Sequence, residues 1–332
     1  FEKGEQEEAD QAIRMDWRWI DLRKPKNLLI FKIWTEFEAA FREYWLSHDY
    51  IEIHSPKFIS SPSESGAEVF EVKYFDRKAY LAQSPQFYKQ MAMAAGFEKV
   101  FEVGSVFRAE PSFTSRHATE FIGYDMEISF IESHYDVMAE EEKMLEHVIK
   151  KVKNKYGDEV KENFDREVIV PKLPFPKITI KEAKKILKKI SVESKGGDLS
   201  SEEEKKISEY IKEKEGHEFV FITDYPVDVR PFYHMKDEKD SSVTKSFDLL
   251  WNGLEVTTGA QREHRYDILV SQAKEKGMKL DSIQFYLNFF KYGCPPHGGI
   301  GMGPSRMIMQ LLNLDNIREA MFLYRGVKRL EP

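Results

Sequence analysis

Cysteine is nearly absent from this chain: Cys294 stands alone among 332 residues. One thiol cannot form an intramolecular disulfide or a cysteine-based zinc site, and a reducing, cytoplasmic compartment fits this usage best. No apolar run approaches the roughly 18 residues of a membrane-spanning helix, and the start has no signal-peptide character. Basic charge is not in excess either. The net charge is −7, so any contact with nucleic acid must rely on local basic patches rather than on overall attraction. No internal repeat is visible. The first residue is Phe1 rather than methionine, which leads us to expect a longer protein on the N-terminal side.

What is present belongs to a globular enzyme. A hydrophobic fraction of 41% and an aromatic fraction of 13% supply a substantial core. Residues 1–24 are charged and read as a linker, leaving residues 25–332 as one large domain. Ile30, Trp34, Phe37, Phe41 and Tyr44 recur at three- and four-residue spacing and predict an amphipathic helix over Leu28 to Tyr44. Tyr50 to His54 reads as a strand stopped by Pro56. Lys78 to Ala82 reads as another, followed by a helix that Ser84 can cap, with Pro85 first and Gly96 at its end. Helices are also predicted over 132–155, 264–276 and 304–314. Residues 180–215 are rich in Lys and Glu and read as a solvated, peripheral helical insertion. Strand character returns at Phe219 to Thr223 and Thr244 to Thr258, with Asn252-Gly253 as a hairpin turn. Strands do not alternate regularly with helices. This predicts an α+β fold built on a mostly antiparallel sheet flanked by helices, not a doubly wound parallel one.

Four stretches carry chemistry. In FEVGSVFRAE-PSFTSRH-ATEFIGYDMEISF, Glu102, Gly104, Val106, Arg108 and Glu110 share one parity, as do Phe121, Gly123, Asp125 and Glu127 on the next strand. Alternation then gathers an arginine, several carboxylates and an aromatic on one sheet face. Arg108, Arg116 and His117 can supply donors to phosphate, Glu110 can accept from an exocyclic amine, and Phe121 can stack on a base. The plain alternative is a surface hairpin with ordinary ion pairs. GGIGMGPSR, Gly298 to Arg306, runs into a helix opened by Pro304, where backbone amides attract anions. Alone it is equally a structural turn. In FDLLWNGLEVTTGAQR, a two-residue turn puts Asp248 and Glu255 on one face as diagonal neighbours, a donor set suited to Mg²⁺ shared with phosphates. A hairpin with solvated acids is the simpler alternative. In AQSPQFYKQ, helical spacing aligns Gln86 and Lys89 for a carboxylate ligand, although a lone lysine is commonly a solvent lysine.

In this order the segments resemble the class II aminoacyl-tRNA synthetases, specifically the archaeal and eukaryotic aspartyl type. The amphipathic helix, strand and Pro56 look like motif 1, FRAE-x₆-H-x₃-F like motif 2, and GIGMGPSR like motif 3. RMDWRWIDLR, from Arg14, resembles the segment joining the family's N-terminal anticodon-binding OB-fold to its catalytic domain. The resemblance implies aspartate, ATP and tRNA as substrates, Mg²⁺ as the metal, and a homodimer formed through the helix 28–45 and the Pro56 region. It implies that Arg108 holds the α-phosphate and the substrate carboxylate as the catalytic residue, and that Glu110 reads the adenine amine. Phe121 would stack on adenine, and Arg116, His117 and Arg306, with Gly303 beside them, would hold the outer phosphates. Glu255 and Thr258 would bind the metal, with Asp248 nearby. Glu64 and Asp125 would face the substrate ammonium, while Gln86, Lys89 and Arg262 would clamp the side-chain carboxylate beside Thr258.

Several positions depart from the common pattern. Thr258 replaces serine, Pro304-Ser305 replace Leu-Glu, and Leu323-Tyr324-Arg325-Gly326 replace Phe-Pro-Arg-Asp. REHRYDIL, from Arg262, is closer to asparaginyl relatives. The competing readings are an asparaginyl-tRNA synthetase, a free-standing asparagine-forming relative, and a non-catalytic tRNA-binding paralogue. The last is disfavoured because Arg108, Glu255 and Arg306 are all present.

Overall fold

The structure is a computed structural model that describes residues 9–62, 68–112, 114–194 and 196–332. Two short helices open it, α1 (Gln11–Asp16) and α2 (Arg18–Asp21), followed by α3 (Pro25–Ser47). Strands β1 (Ile51–Glu52), β2 (Phe58–Ile59), β3 (Glu71–Tyr74) and β4 (Arg77–Leu81) lead to helix α4 (Gln86–Ala94). Next come β5 (Lys99–Phe107), β6 (Glu120–Ser129), α5 (His134–Phe164), β7 (Lys177–Thr179), α6 (Ile180–Lys189) and α7 (Ser201–Glu215). The chain continues through β8 (Phe219–Thr223), β9 (Ser246–Trp251), β10 (Leu254–Gln261), α8 (Tyr266–Glu275) and α9 (Leu280–Leu287). It closes with β11 (His297–Met302), α10 (Pro304–Leu311) and α11 (Ile317–Ala320).

The main sheet has eight strands in the order β1-β5-β6-β11-β10-β9-β8-β7. Only the outermost pairs, β1 with β5 and β7 with β8, are parallel. The remaining neighbours are antiparallel, as the element order predicts. A smaller sheet, β2-β4-β3, stands apart from it.

One face of the main sheet is sealed by α3 and α5, which pack on each other. Ile30, Ile33, Phe37, Phe41 and Tyr44 form the buried stripe of α3, a wider version of the predicted one, and Trp34 is half-buried. Trp45 stacks on Phe101 of β5 at 4.5 Å, and Phe41 meets Tyr124 of β6 edge-on at 5.3 Å. Helix α5 runs nine residues past the predicted end at 155 and starts at a Ser133 capping box with Asp136.

Two sequence expectations are corrected by this packing. Residues 10–24 are not a loose linker. Arg14 pairs with Glu319, while the fully buried Arg18 donates to Asp21 and to the Met321 carbonyl, fastening α1 and α2 onto the C-terminal segment. The Lys/Glu-rich block is also more than a solvated periphery. Ile180, Ala183, Leu187, Ile207 and Ile211 of α6 and α7 pack on Val220, Ile222 and Leu250. Strand β8 is therefore buried on both sides, with Phe219 and Phe221 facing the α3/α5 core. Charged side chains at the outward positions concealed this apolar stripe in the composition. Because Leu250 pairs directly with Glu255, α6 and α7 lie on the face opposite α5, the same face that carries Glu255.

A carboxyl is buried behind that face. Glu141 of α5 is fully enclosed. Burial pushes its carboxyl from 4.5 up to about 8, with the Thr257 hydroxyl pulling the other way. The folded chain thus holds a proton here that the unfolded chain has released. This contribution to stability is complete below about pH 4.5 and is lost as pH rises through about 8. Glu141→Gln should raise the melting temperature relative to the parent by more at pH 9 than at pH 6. An equal difference at the two pH values, measured by thermal unfolding, would contradict a protonated Glu141.

Candidate active site

The β5–β6 pairing sets Glu102 opposite Asp125, Gly104 opposite Gly123 and Val106 opposite Phe121, so the parity read from the sequence is a real face. Arg108 lies just past β5, and its N–H donates to the Thr119 carbonyl at 2.9 Å, which extends the ladder into the loop. Its guanidinium sits 5.6 Å from the Phe121 ring centroid and 3.8 Å from Glu110. A cavity of about 420 Å³ opens on this face. Arg108, Glu110, Arg116, His117 and Phe121 line it from the β5–β6 side. From the opposite side come Glu255, Thr258, Gly303 and Arg306, with Gln86, Asp125 and Arg262 at one end. Segments separated by some two hundred residues therefore share one chamber.

The hairpin side depends on a detail of register. Asn252 and Gly253 form the expected turn, both with positive φ, between the paired Trp251 and Leu254. A bulge between Glu255 and Thr257 then shifts the pairing, so Asp248 lies opposite Thr258. In an unbulged strand, residues 255 and 258 would point to opposite faces. Here the Thr258 hydroxyl donates to the Glu255 carboxylate at 3.1 Å. Arg306, in the first turn of α10, donates to the Glu255 carbonyl at 3.0 Å, and its guanidinium is 3.7 Å from the Glu255 carboxylate.

Asp248 behaves differently from the expectation. It is not part of the cavity wall; its carboxylate accepts from Arg230 at 2.5 Å, and Arg230 is what reaches the wall. Burial pushes Asp248 up to about 6 against the pull of Arg230. Among the described residues, no three His, Cys, Asp or Glu side chains cluster in a way that could hold a metal. Magnesium needs only one or two protein oxygens when phosphates supply others, and Glu255 with Thr258 is such a pair. Asp248 gives one carboxylate oxygen to Arg230 and stands behind the wall.

His117 is neutral. Burial and the nearby Arg306 and Arg116 lower its imidazole to about 4, so it offers a hydrogen bond rather than a charge. It also sits 4.0 Å from Glu110.

The end near Gln86 is denser than the sequence suggests. Arg262 donates to both oxygens of Glu127, at 2.9 and 3.3 Å, and to the Gly299 carbonyl at 2.9 Å. Lys89 is 1% exposed and is absent from the cavity wall. It donates to Asp125 at 2.8 Å and to the Ile300 carbonyl at 3.0 Å, and lies 3.5 Å from Glu127. Lys89 and Arg262 thus meet at Glu127, whose carboxyl burial would raise but these two cations hold below its ordinary range. Gly299 makes the arrangement possible, because a Cβ there would stand 2.2 Å from the Glu127 carboxylate. Gln86 hydrogen-bonds Gln90 at 3.0 Å. Glu64 lies outside the described residues.

Sequence reasoning missed Arg230, Tyr233 and His234, all on the cavity wall. His234 faces the Arg262 guanidinium at 3.0 Å; burial and the Arg262 charge hold it well below the ordinary imidazole range, so it accepts this bond in neutral form. These three residues sit in irregular chain between β8 and β9, where no periodicity marks a face. Glu127 could have been found, since its parity places it beside Asp125.

Several known proteins resemble this chain. It is 46% identical to the aspartate–tRNA(Asp/Asn) ligase of Aeropyrum pernix and 46% identical to the aspartate–tRNA(Asp) ligase of Pyrococcus abyssi. Each match covers 98% of this chain and 74% of the relative. Among solved structures, the asparaginyl-tRNA synthetase of Pyrococcus horikoshii complexed with asparaginyl-adenylate superposes with a TM-score of 0.91 at 33% identity, covering 98% of this chain and 74% of that one. The aspartyl tRNA synthetase of Entamoeba histolytica superposes with a TM-score of 0.89 at 35% identity, covering 99% and 64%. A family model described as tRNA synthetases class II (D, K and N) matches residues 10–325, and the chain belongs to that family.

Proposed function

We infer that this chain is an aspartate–tRNA ligase: it activates aspartate with ATP and transfers the aspartyl group to tRNA. Aspartate ligases at 42–47% identity over 98% of the chain support the choice of amino acid. The observation that carries the chemistry is the meeting of Arg108, Arg306 and Glu255 around one cavity.

In the first step, an oxygen of the aspartate α-carboxylate attacks the α-phosphorus of ATP, and the bond to the leaving pyrophosphate breaks in line. In the second, the terminal ribose hydroxyl of tRNA attacks the aspartyl carbon and AMP leaves. No side-chain nucleophile is required; positioning and electrostatic stabilisation do the chemistry. Arg108 binds the α-phosphate and the attacking carboxylate. Phe121 stacks on adenine and Glu110 accepts from its amine. Arg306 and Arg116 meet the outer phosphates with Gly303 beside them, and neutral His117 donates a hydrogen bond. Mg²⁺, held by Glu255 and Thr258, would offset charge on the outer phosphates. Gln86, Asp125 and Arg262 enclose the amino acid, with Lys89 acting from behind Asp125. The apolar residues Leu28, Leu46, Ile51 and Phe58, all about half-exposed, lie along and just after α3 and would form the dimer surface.

Asparagine activation is the second reading, and one observation favours it. Selectivity for aspartate would be simplest if Lys89 and Arg262 awaited a countercharge, but Asp125 and Glu127 already pair with them. An incoming carboxylate must share those cations rather than neutralise them. Aspartate-dependent pyrophosphate exchange without asparagine-dependent exchange decides for the first reading.

Arg108→Ala should lower exchange by about 10²–10³-fold, the scale of losing one oriented donor to the reacting centre; near-normal exchange refutes its role. Lys89→Leu should raise the aspartate KM by at least about tenfold while leaving the ATP KM within about twofold. The variant leaves two buried carboxylates short of a partner, so the assay must be run below its measured melting temperature. Equal rises in both KM values would show general loosening instead.

A further inference from the structure

Helix α7 belongs to the Lys/Glu-rich block and has no place in the chemistry above, yet its first turn touches Arg116, which lines the cavity. Glu204 is 6% exposed, and its carboxylate accepts from Arg116 Nη1 at 2.9 Å. Arg116 itself sits in the loop between β5 and β6, where its backbone N–H donates to the Thr114 hydroxyl at 3.3 Å. A long side chain on such a loop has many conformations, and a buried carboxylate selects among them.

Glu204 is in turn held firmly. Ser200 caps α7 through a reciprocal box with Glu203, fixing the turn that carries Glu204. The helix is seated on the β9–β10 turn: a Cβ on Gly253 would stand 2.8 Å from Lys205 Cα, so only glycine allows this approach. Lys212 clamps the far end, donating to Asn252 and to Glu218 at 3.2 Å each. The hairpin that carries Glu255 and the helix that carries Glu204 are therefore one unit. Burial and the neighbouring Glu255 push the Glu204 carboxyl up to about 7, with Arg116 and Arg306 opposing, which places Glu204 electrostatically among the groups of the outer-phosphate end.

We propose that Glu204 is a positioning residue for ATP and pyrophosphate: it presets the Arg116 guanidinium at the mouth of the cavity so that the outer phosphates meet an ordered donor. This rests on the ATP reading given above. A guanidinium has five N–H donors in a rigid fork, so engaging one edge with a carboxylate orients the others without consuming them. The β- and γ-phosphates feel the effect; the adenosine and the α-phosphate, held by Glu110, Phe121 and Arg108, do not.

The test is pyrophosphate exchange with aspartate, together with inhibition by AMP, which lacks the outer phosphates. Glu204→Ala should raise the KM values for ATP and pyrophosphate by about 5–20-fold, the scale expected when a preordered contact is lost. The aspartate KM and AMP inhibition should each stay within about twofold. Glu204→Gln keeps a carbonyl oxygen for Arg116 and should recover most of the affinity. With Arg116→Ala already present, Glu204→Ala should add nothing, because the two act through one contact. An unchanged or lowered ATP KM in Glu204→Ala, AMP inhibition weakened in parallel with ATP, or additive effects of the two substitutions would each overturn the proposal. Absence of exchange in the unsubstituted chain would instead refute the ATP reading beneath it.

Discussion

Glu127 has no access to solvent, and much of the site is organised around keeping that charge acceptable. A buried carboxylate is costly unless paired and fully hydrogen-bonded, and removing one partner from such a pair typically costs about 3–5 kcal/mol. Arg262 supplies two bonds and Lys89 stands close by, which draws α4, β6 and the end of β10 together beneath the cavity. Asp125, His234 and the carbonyls of Gly299 and Ile300 take further donors of the two cations. Side chains in a network of this kind cannot swing freely. The amino-acid end of the chamber is accordingly preset, whereas Arg108, with a side chain 42% exposed, meets solvent on the nucleotide side. Preset recognition beside an open phosphate end suits a reaction in which a small acid must be held still while a large nucleotide enters and pyrophosphate departs.

The two faces of the sheet divide the labour. Behind it, α3 and α5 bury aromatic and aliphatic side chains and even a protonated Glu141, giving a stiff backing. In front, α6 and α7 cover the β7–β9 end and α4 packs at the β5–β6 side, and the chamber opens between them. Strand β8 therefore reads as a continuous apolar run, FVFIT, while β6 alternates. That difference in pattern along neighbouring strands records where the sheet is covered on both sides and where it is left for substrate.

How much of this could be read from the chain alone varied by element. The parity of Glu102 to Glu110 against Phe121 to Glu127 identified the reactive face because strand alternation is rigid. The Asn252-Gly253 turn was legible for the same reason: few sequences accept two positive φ values in succession. Other features left no trace in periodicity. Nothing in LEVTT marks an extra residue in the ladder. Lys89 carries the right spacing on α4, but whether a lysine faces a ligand or a carboxylate behind it depends on β6 and β11, which are distant in sequence. The heavy charge on α6 and α7 masked an apolar stripe of only a few residues. Arg230 and His234 sit in irregular chain, where no pattern assigns a direction to a side chain.

The bulge beside Val256 has a consequence for how this strand can change. With the extra residue, Glu255 and Thr258 come to one side although three positions separate them. Reactive geometry on β10 is thus stored in a tally of residues as much as in their chemical kinds. Point substitutions within the strand leave that tally intact, but one residue inserted between 255 and 258 would change it, and the side that Glu255 and Thr258 share would no longer follow from the register.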